Sequence, residues 1–407
     1  MIQADEALRI LGEAARPLQV VEASLDLCLR LVLGEEVPAD RDFPPTDRSA
    51  MDGFAVRCAD IQDRDEETVL EIAGEVRAGE SAEGLEVGAG QAARIFTGAV
   101  IPSGADAVVM VECTEEDRAA GTVRIRDSVA SGQHVRPRGS EFHLGDPVLR
   151  AGSPIHAAEI AALASVGHTR VRVHRPPLVN VLSTGDEVVE PDRTPAPHQI
   201  RNSNGGTLLA QLRELGLKGV FLGNASDTAG ELAEKLALGV KGDVLLVTGG
   251  VSVGEYDLVG RALSDVGMEL LFHKVAVKPG KPILAGRCGG CLVVGLPGNP
   301  VSAFTGFAIF VAPVLRKMMG YRRWENEEIR ATLDGPLKVK PGRKTYHLAR
   351  LSWREGQFHG ERIASTGSGD VLSLALANGF LITFEEGADL VPGDQLAALR
   401  WNDAHHR

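Results

Sequence analysis

An alternation of strand and helix patterns between residues 175 and 322 constrains the fold of this chain most. Short Val, Ile and Leu runs alternate there with segments whose apolar residues recur at helical spacing. Such a series predicts a mostly parallel sheet covered by helices. The predicted strands lie at 178–182, 219–222, 244–247 and 292–294, and the predicted helices at 207–215, 229–238, 258–266 and 301–319.

The rest of the chain predicts further domains around this α/β core. Short β-rich runs between 53 and 150 indicate a small β domain, and those between 326 and 407 indicate a C-terminal barrel or sandwich. Residues 1–45 have the periodicity of a helical segment, at 4–15 and 23–33. Ser153 and Pro154 resemble an N-cap and a first helical residue, which predicts a helix over 155–165. The fold class is therefore α/β plus β, with several domains.

Composition excludes several classes of function. The chain has 407 residues with a net charge of −12, which argues against nucleic acid as a main partner. Its longest apolar run, 303–315, is shorter than the roughly 20 residues of a membrane span and predicts a buried helix. The five cysteines are too few for a disulfide framework, and no basic-then-apolar leader is visible. We therefore expect a cytoplasmic protein without a membrane partner.

Three loops that follow predicted strands carry chemically useful residues. In open α/β sheets, ligands bind at the carboxyl ends of the strands. The loop 183–187 holds two adjacent carboxylates, and the loop 248–257 is rich in glycines that let backbone N–H groups approach a phosphate. The loop 295–302 places Asn299 and Pro300 at a helix N-terminus, where anions bind readily. Each loop by itself is equally consistent with a plain turn.

A basic tract between residues 272 and 291 supplies positive charge. It contains no Asp or Glu, and its basic residues are His273, Lys274, Lys278, Lys281 and Arg287. The neighbouring loops carry the carboxylates Asp186, Glu187, Asp227 and Asp257. Because Mg²⁺ pairs carboxylates with substrate phosphates, lysines and carboxylates together favour a phosphorylated ligand with Mg²⁺. The alternatives are a solvated basic loop and carboxylates that cap helices.

The only CxxC motif, Cys288 to Cys291, has two glycines between its cysteines. The glycines and the flanking β runs predict a hairpin turn. Because no second CxxC follows, zinc binding or redox chemistry is the weaker interpretation of this motif.

Three further motifs carry a resemblance to a known family. They are SAMDGFAVR at 49–57, GGVSVGEYD at 249–257 and LPGNPVSA at 296–303. Their order and spacing resemble the molybdopterin molybdenumtransferase family, the bacterial counterpart of gephyrin's C-terminal E domain. The resemblance covers about residues 5–395.

The resemblance implies the final step of molybdenum cofactor synthesis. An enzyme of this kind cleaves adenylylated molybdopterin with Mg²⁺, places molybdenum from molybdate on the dithiolene and releases AMP. The family fold is an elongated homodimer whose cleft combines the α/β domain of one subunit with the small β domain of the other. Other molybdenum cofactor synthesis proteins are candidate partners. The implied domains are a linking domain (1–22 and 138–174), a small β domain (46–137), an α/β domain (23–45 and 175–322) and a C-terminal β-barrel (323–407).

The resemblance also implies roles for individual residues. Its catalytic positions are Asp52, Thr97, Glu187, Asp227, Asp257, Lys274 and Lys278. Mg²⁺ would be held by Glu187, Asp227 and Asp257. The positions that bind the pterin, its phosphate or molybdate are Thr184, Gly185, Gly249, Gly250, Ser252, Gly254, Lys281, Pro297, Pro300, Ser302, Ser368 and Arg350. Asp52 and Thr97 would reach in from the partner subunit.

Three positions depart from the family pattern. Glu141 stands where Asp is frequent, and Leu348 stands where an arginine is usual, with Arg350 two residues further on. Gly369 replaces a usual histidine and is followed by Asp370. Two other functions remain open, a hydrolase of a nucleotide anhydride that inserts no metal, and a dimeric scaffold.

Overall fold

The computed structural model describes residues 1–61, 67–250, 258–384 and 386–401, which form two compact units. The first unit contains Met1–Glu35, Ala151–Ala157 and Arg170–Arg407, and the second contains Glu36–Arg150 and Ala158–Thr169. The α/β plus β fold class is confirmed. The finer division into four domains stays a prediction.

A six-stranded central sheet organises the first unit. In spatial order its strands are Gly219–Ala225, Val179–Thr184, Val244–Thr248, Cys291–Leu296, Leu284–Cys288 and Glu269–His273. The first four are parallel and the last two are antiparallel to their neighbours. Alternate strand residues pack into two separate cores, because side chains on a strand point to opposite faces. The covering helices are Ser203–Glu214, Ala229–Gly239, Leu258–Asp265 and Pro300–Met318.

The helix Pro300–Met318 lies in the core. It runs as an α-helix over Pro300–Gly306, as a π-helix over Phe307–Val311 and as an α-helix again over Ala312–Met318. Pro313 lacks the N–H of a normal helical turn, which accounts for the irregular segment before it. The helix has the length and hydropathy of a membrane span, but 89% of its apolar window is buried inside the protein. The predicted buried helix is therefore confirmed.

A barrel completes the first unit. Its strands are Ile329–Leu333, Lys344–Arg354, Gln357–Arg362, Gly379–Thr383 and Gln395–Arg400, closed because Lys344–Arg354 pairs with both Gln357–Arg362 and Gly379–Thr383. The short strand Val277–Lys278 joins it by pairing with Lys344 and Thr345, and so carries a lysine of the basic tract to the barrel. Smaller elements are the pairs Leu337–Val339 with Ala388–Leu390 and Val188–Val189 with Ile200–Arg201, and the helix Val371–Leu376.

The second unit is built on another six-stranded sheet. In spatial order its strands are Ala107–Met110, Gly53–Val56, Gln91–Ile95, Thr68–Val76, Thr122–Ile125 and Thr114–Asp117. The same unit contains the strand pairs Arg48–Ser49 with Val135–Arg136 and Val37–Pro38 with Pro147–Leu149, and most of the helix Ala157–Ser165. Gly53 must be glycine, because a Cβ there would collide with the carbonyl oxygen of Val109 on the neighbouring strand.

Two local predictions are wrong. The segment 23–33 is not a helix, because Val20–Ser24 pairs in a three-stranded sheet with Arg170–His174, which also pairs with Val32–Leu33. Arg30 has a φ of 66°, which no α-helix tolerates. Ser153 and Pro154 do not start a helix either, since the chain is extended where Leu33 N–H donates to Ser153 O. The helix begins at Ala157. The remaining N-terminal elements are the helix Ala4–Ala14 and the 3₁₀ turn Leu25–Leu27, with further 3₁₀ turns at Cys58–Asp60 and Val111–Cys113.

Candidate functional site

The carboxyl edge of the central sheet brings the predicted loops together. Ser183 lies opposite Thr248, Thr184 lies opposite Ala225, and Thr248 lies opposite Leu296. Because these strands are parallel, the chain segments 185–187, 226–227, 249–250 and 297–299 leave the sheet at one edge. This edge is where the sequence predicted the ligand-binding loops.

Three carboxylates gather at one end of this edge. Asp227 N–H donates to Asp186 Oδ1 at 3.0 Å, and Gly185 N–H donates to Ala225 O at 3.1 Å, so the two loops are tied together. Burial, followed by the charges of Asp186 and Glu187, raises the pKa of Asp227 above its usual range. No described Lys, Arg or His forms an ion pair with these three carboxylates, so the cluster suits a divalent metal ion.

The predicted metal ligands can be placed only in part. Asp257 lies outside the described residues, as do Ser252 and Gly254. Across the part of the chain that the structure describes, no three His, Cys, Asp or Glu side chains are arranged to hold a metal ion. Mg²⁺ is commonly held by one or two carboxylates together with substrate phosphates and water. Glu187 and Asp227 suit that kind of site.

Glycine is required at both described positions of the loop after Val244–Thr248. Gly249 has a φ of 93°, and a Cβ there would lie 2.6 Å from Thr184 O. Gly250 has a φ of 63°, and its Cβ would lie 2.5 Å from Val259 Cγ2. The Thr184 hydroxyl is buried and donates to Thr248 O at 3.4 Å. Close packing against Thr184 and Val259 thus fixes the positions of Gly249 and Gly250.

Asn204 joins two of the loops and was missed by the sequence analysis. Its amide Nδ2 donates to Thr248 Oγ1 and to Gly298 O, both at 2.8 Å. Asn204 lies in the first turn of the helix Ser203–Glu214, whose N-cap Asn202 accepts from Gly205 N–H at 3.0 Å. The run Asn202-Ser203-Asn204 before a helical pattern was the available signal.

A cavity of about 700 Å³ lies beside the barrel in the first unit. We call it the cationic cavity after its six cationic side chains, which are Lys278, Lys281, Lys338, Lys340, Arg343 and Arg362. No Asp or Glu is among its described lining residues, and none of the six cations forms an ion pair with a described carboxylate. Its other lining residues include Pro297, Asn299, Ser302, Thr345, His347, Leu348 and Ser368. In a protein of net charge −12, this concentration of positive charge indicates an anion site.

The start of the helix Pro300–Met318 forms one wall of the cationic cavity. Asn299 is its N-cap and Pro300 its first residue, as predicted. The Asn299 side chain does not cap the helix but donates from Nδ2 to Ser368 Oγ at 2.9 Å, while Val301 N–H donates to Ser368 O at 3.0 Å. The structure thus brings Ser368, Ser302 and Pro297 next to a helix N-terminus, which favours anions.

The carboxylate of Asp370 does not line the cationic cavity. It accepts hydrogen bonds from Thr366 N–H at 3.0 Å and from Ser373 N–H at 3.1 Å, as the N-cap of the helix Val371–Leu376. The Ser373 hydroxyl, followed by these N–H groups, holds the pKa of Asp370 well below its usual range. The departure from the family pattern at Gly369 and Asp370 therefore adds a helix cap and leaves the cavity cationic.

His347 lines the cavity as a neutral side chain. Burial, followed by the charges of Arg362 and Lys278, lowers its pKa to about 4. Its Nε2 lies 3.0 Å from Thr383 Oγ1. The imidazole is therefore uncharged near neutral pH, beside two cations.

Lys274 and Arg350 are predicted residues of the first unit that also do not line this cavity. Lys274 follows the strand Glu269–His273 at the carboxyl edge, with a φ of 70° and with its N–H donating to Ile283 O at 2.9 Å. Arg350 is exposed on Lys344–Arg354, opposite Glu361. Neither lines the cationic cavity. Arg362 and Arg343, which do, were not predicted from the sequence.

The second unit brings Asp52 and Thr97 together. Thr97 also lines a separate cavity of about 470 Å³ with three arginines, Arg41, Arg48 and Arg136. Glu141, a departure from the family pattern, lies 3.3 Å from Arg136 as an ion pair. The longer carboxylate at position 141 therefore has a partner within its own unit.

The CxxC motif forms the predicted hairpin. Cys288 and Cys291 face each other across the turn between Leu284–Cys288 and Cys291–Leu296. Burial raises the pKa of Cys291 to about 12, so its thiolate is strongly disfavoured.

Three family models match the chain in succession. They are the MoeA N-terminal region (domain I and II) over residues 2–167, a probable molybdopterin binding domain over 180–317 and the MoeA C-terminal region (domain IV) over 330–401. The chain also resembles the crystal structure of a molybdopterin biosynthesis moeA protein from Pyrococcus horikoshii OT3, with a TM-score of 0.84 and 27% identity over 98% of this chain and 100% of that one. Fold and matches together define a molybdopterin biosynthesis protein.

Relatives by sequence make the family specific. A molybdopterin molybdenumtransferase of Nostoc sp. (strain PCC 7120) is 35% identical over 360 residues, covering 86% of this chain and 82% of the relative. One of Bacillus subtilis (strain 168) is 34% identical over 390 residues, covering 94% and 90%. The chain belongs to the molybdopterin molybdenumtransferase family, and it is an enzyme of molybdenum cofactor biosynthesis.

Proposed function

We propose that this enzyme transfers molybdenum from molybdate to adenylylated molybdopterin, with cleavage of the phosphoanhydride and release of AMP. The observation that carries the proposal is the cationic cavity, because its six cations have no carboxylate partner among the described residues and lie beside the Pro300 helix N-terminus. Molybdate and the anhydride phosphates are both anions. Charge-assisted hydrogen bonds from Lys and Arg suit such groups.

The two groups of residues in the first unit would divide the work. Lys278, Lys281 and Ser368 would bind molybdate and substrate phosphate in the cationic cavity. Thr184, Gly185, Gly249 and Gly250 would hold the pterin or its phosphate at the carboxyl edge. Asn204 donates to Thr248 at the carboxyl edge and to Gly298, which precedes the cavity residue Asn299. A ligand that bridges the carboxyl edge and the cationic cavity would therefore meet a fixed spacing between the two.

Glu187 and Asp227, with the neighbouring Asp186, would hold Mg²⁺. When bound, Mg²⁺ would offset the charge of the anhydride phosphates. The closeness of Asp227 to Asp186 and Glu187, whose charges add to burial in raising its pKa, supports this assignment, because gathered negative charges favour a cation. Asp257 remains the proposed third carboxylate.

We infer further that the enzyme is a homodimer whose active site includes Asp52 and Thr97 of the partner subunit. Asp52 is ionised and held by Thr97 on the second unit, which leaves it available as a fixed negative charge. The proposed compartment is the cytoplasm, because all five cysteines are free thiols.

The test is AMP release from adenylylated molybdopterin by the purified protein with Mg²⁺, with and without molybdate. Release that molybdate stimulates, and that Lys278→Ala abolishes, supports the transferase. Release that is indifferent to molybdate identifies a hydrolase instead. Absence of both release and substrate binding would refute an enzymatic role for the cavity and favour a scaffold.

A further inference from the structure

Arg362 is a cation of the cationic cavity to which the proposed reaction has so far given no role. It ends the strand Gln357–Arg362 and lies opposite Ala349 on the neighbouring strand. The N–H of Ile363 donates to Leu348 O at 2.8 Å, which fixes the backbone on the C-terminal side of Arg362. Leu348 and Arg362 both line the cavity.

Arg362 and Lys278 converge on one place from two different strands. Lys278 lies opposite Thr345 and Arg362 lies opposite Ala349 on the same strand, Lys344–Arg354, and His347 is midway between those two positions. Lys278, His347 and Arg362 all line the cavity. Because side chains alternate between the two faces of a strand, positions 345, 347 and 349 share one face, and Lys278 and Arg362 are their cross-strand neighbours on it. Two like charges brought together without an anion repel each other.

Neither cation has a carboxylate partner within 4.0 Å in the described ranges. A doubly charged tetrahedral oxyanion would relieve their repulsion. The planar guanidinium can also give it two parallel hydrogen bonds, which an ammonium group cannot.

We propose that Arg362 binds, together with Lys278, one tetrahedral oxyanion in the cationic cavity. This inference rests on the proposed function, in which the oxyanion is molybdate or a phosphate of the substrate. Arg362 is then a binding residue of the reaction, and Arg350, two residues after Leu348, is not.

The test measures binding of molybdate alone and of inorganic phosphate alone by isothermal titration calorimetry at constant ionic strength. The proteins are wild type, Arg362→Ala, Arg362→Lys and the matched control Arg330→Ala, an exposed arginine on the barrel strand Ile329–Leu333 outside the cavity. Loss of a charge-assisted bond predicts at least about tenfold weaker binding for Arg362→Ala. Arg362→Lys should recover part of the lost affinity, and Arg330→Ala should bind both anions as wild type does.

The anion that binds more weakly to Arg362→Ala identifies the oxyanion that Arg362 binds. A loss confined to molybdate assigns Arg362 to the metal oxyanion, and a loss confined to phosphate assigns it to the substrate. Equal affinities of wild type and Arg362→Ala for both anions would overturn the inference, as would a wild-type protein that binds neither.

Failure of this inference is separable from failure of the proposed function. If wild type shows molybdate-stimulated AMP release but anion binding does not depend on Arg362, only the role of Arg362 is overturned. Anion binding that requires Arg362, in a protein without molybdate-stimulated release, supports the anion site and refutes the transferase.

Discussion

Thr97 holds the carboxylate of Asp52 with two hydrogen bonds to the same oxygen. Its backbone N–H and its hydroxyl both donate to Asp52 Oδ1 at 2.7 Å. The backbone bond, followed by the hydroxyl bond, lowers the pKa of Asp52 below its usual range. Asp52 is therefore a fixed, ionised group.

Replacement of Thr97 by valine should raise the pKa of Asp52 while leaving it below its ordinary value, because only the hydroxyl bond is lost. We expect AMP release to fall by about three- to tenfold. As the pH is lowered, the rate of AMP release by this variant should begin to fall at a higher pH than in wild type, since Asp52 is protonated at a higher pH. Thr97→Ser keeps both donors and is the control. An acid limb that does not move would show that ionisation of Asp52 is not needed.

Asp227→Asn should weaken the dependence on Mg²⁺ and stabilise the metal-free protein. Burial and the two neighbouring carboxylates raise the pKa of Asp227 in the folded state. The folded state therefore favours protonated Asp227. Stability is lost as the pH rises from the pKa of the unfolded state, near 4, through the raised pKa of the folded state. Thermal unfolding with and without Mg²⁺ measures both effects.

The matched control for this prediction is Asp192→Asn, an exposed carboxylate of the same region. It should leave both the melting temperature and the stabilisation by Mg²⁺ unchanged. If Mg²⁺ stabilised Asp227→Asn as strongly as wild type, Asp227 would not be a ligand.

His347 should titrate near pH 4, and Arg362→Ala should raise that value. Burial is the main cause of the low pKa and Arg362 the next, so removal of the guanidinium shifts the pKa upward but leaves it below 6.5. NMR of protein with ¹³C-labelled histidine measures both, with His347→Gln to assign the resonance. An identical pKa in Arg362→Ala would place the guanidinium away from the ring.

Gly249→Ala should destabilise the fold by about 1–3 kcal/mol, because the backbone there is left-handed and a Cβ would press on Thr184 O. The control is Gly206→Ala in the helix Ser203–Glu214, where a Cβ meets nothing within 4 Å. It should stabilise by up to about 1 kcal/mol. Urea unfolding measures both. A neutral Gly249→Ala would show that the glycine serves the ligand only.

The alternating pattern between 175 and 322 predicted the central sheet because each of its segments has one clear period. Val244–Thr248 and Cys291–Leu296 are continuous apolar runs, as buried parallel strands require. The N-terminal segment around Arg30 was mispredicted because its pairing partner, Arg170–His174, lies far along the chain. Local periodicity carries no information about such a partner.

Site residues that directly follow a predicted strand, such as Gly249, Glu187 and Asn299, were predictable from the sequence. The cations on the barrel side of the cationic cavity were not. Lys338 and Lys340 flank a buried Val339 and have the pattern of an ordinary strand face. Arg362 lines the cavity because its strand, Gln357–Arg362, forms a hairpin with Lys344–Arg354, and the sequence analysis predicted no strand over 357–362.

The most direct measurement uses a dimer that combines two inactive chains. Asp52→Ala and Lys278→Ala are given different tags, co-expressed and purified through both tags, and molybdate-stimulated AMP release is measured. If each active site takes Lys278 from one subunit and Asp52 from the other, the mixed dimer has one intact site and about half of wild-type activity, although each variant alone is inactive. A mixed dimer as inactive as its parents would contradict a site shared between subunits.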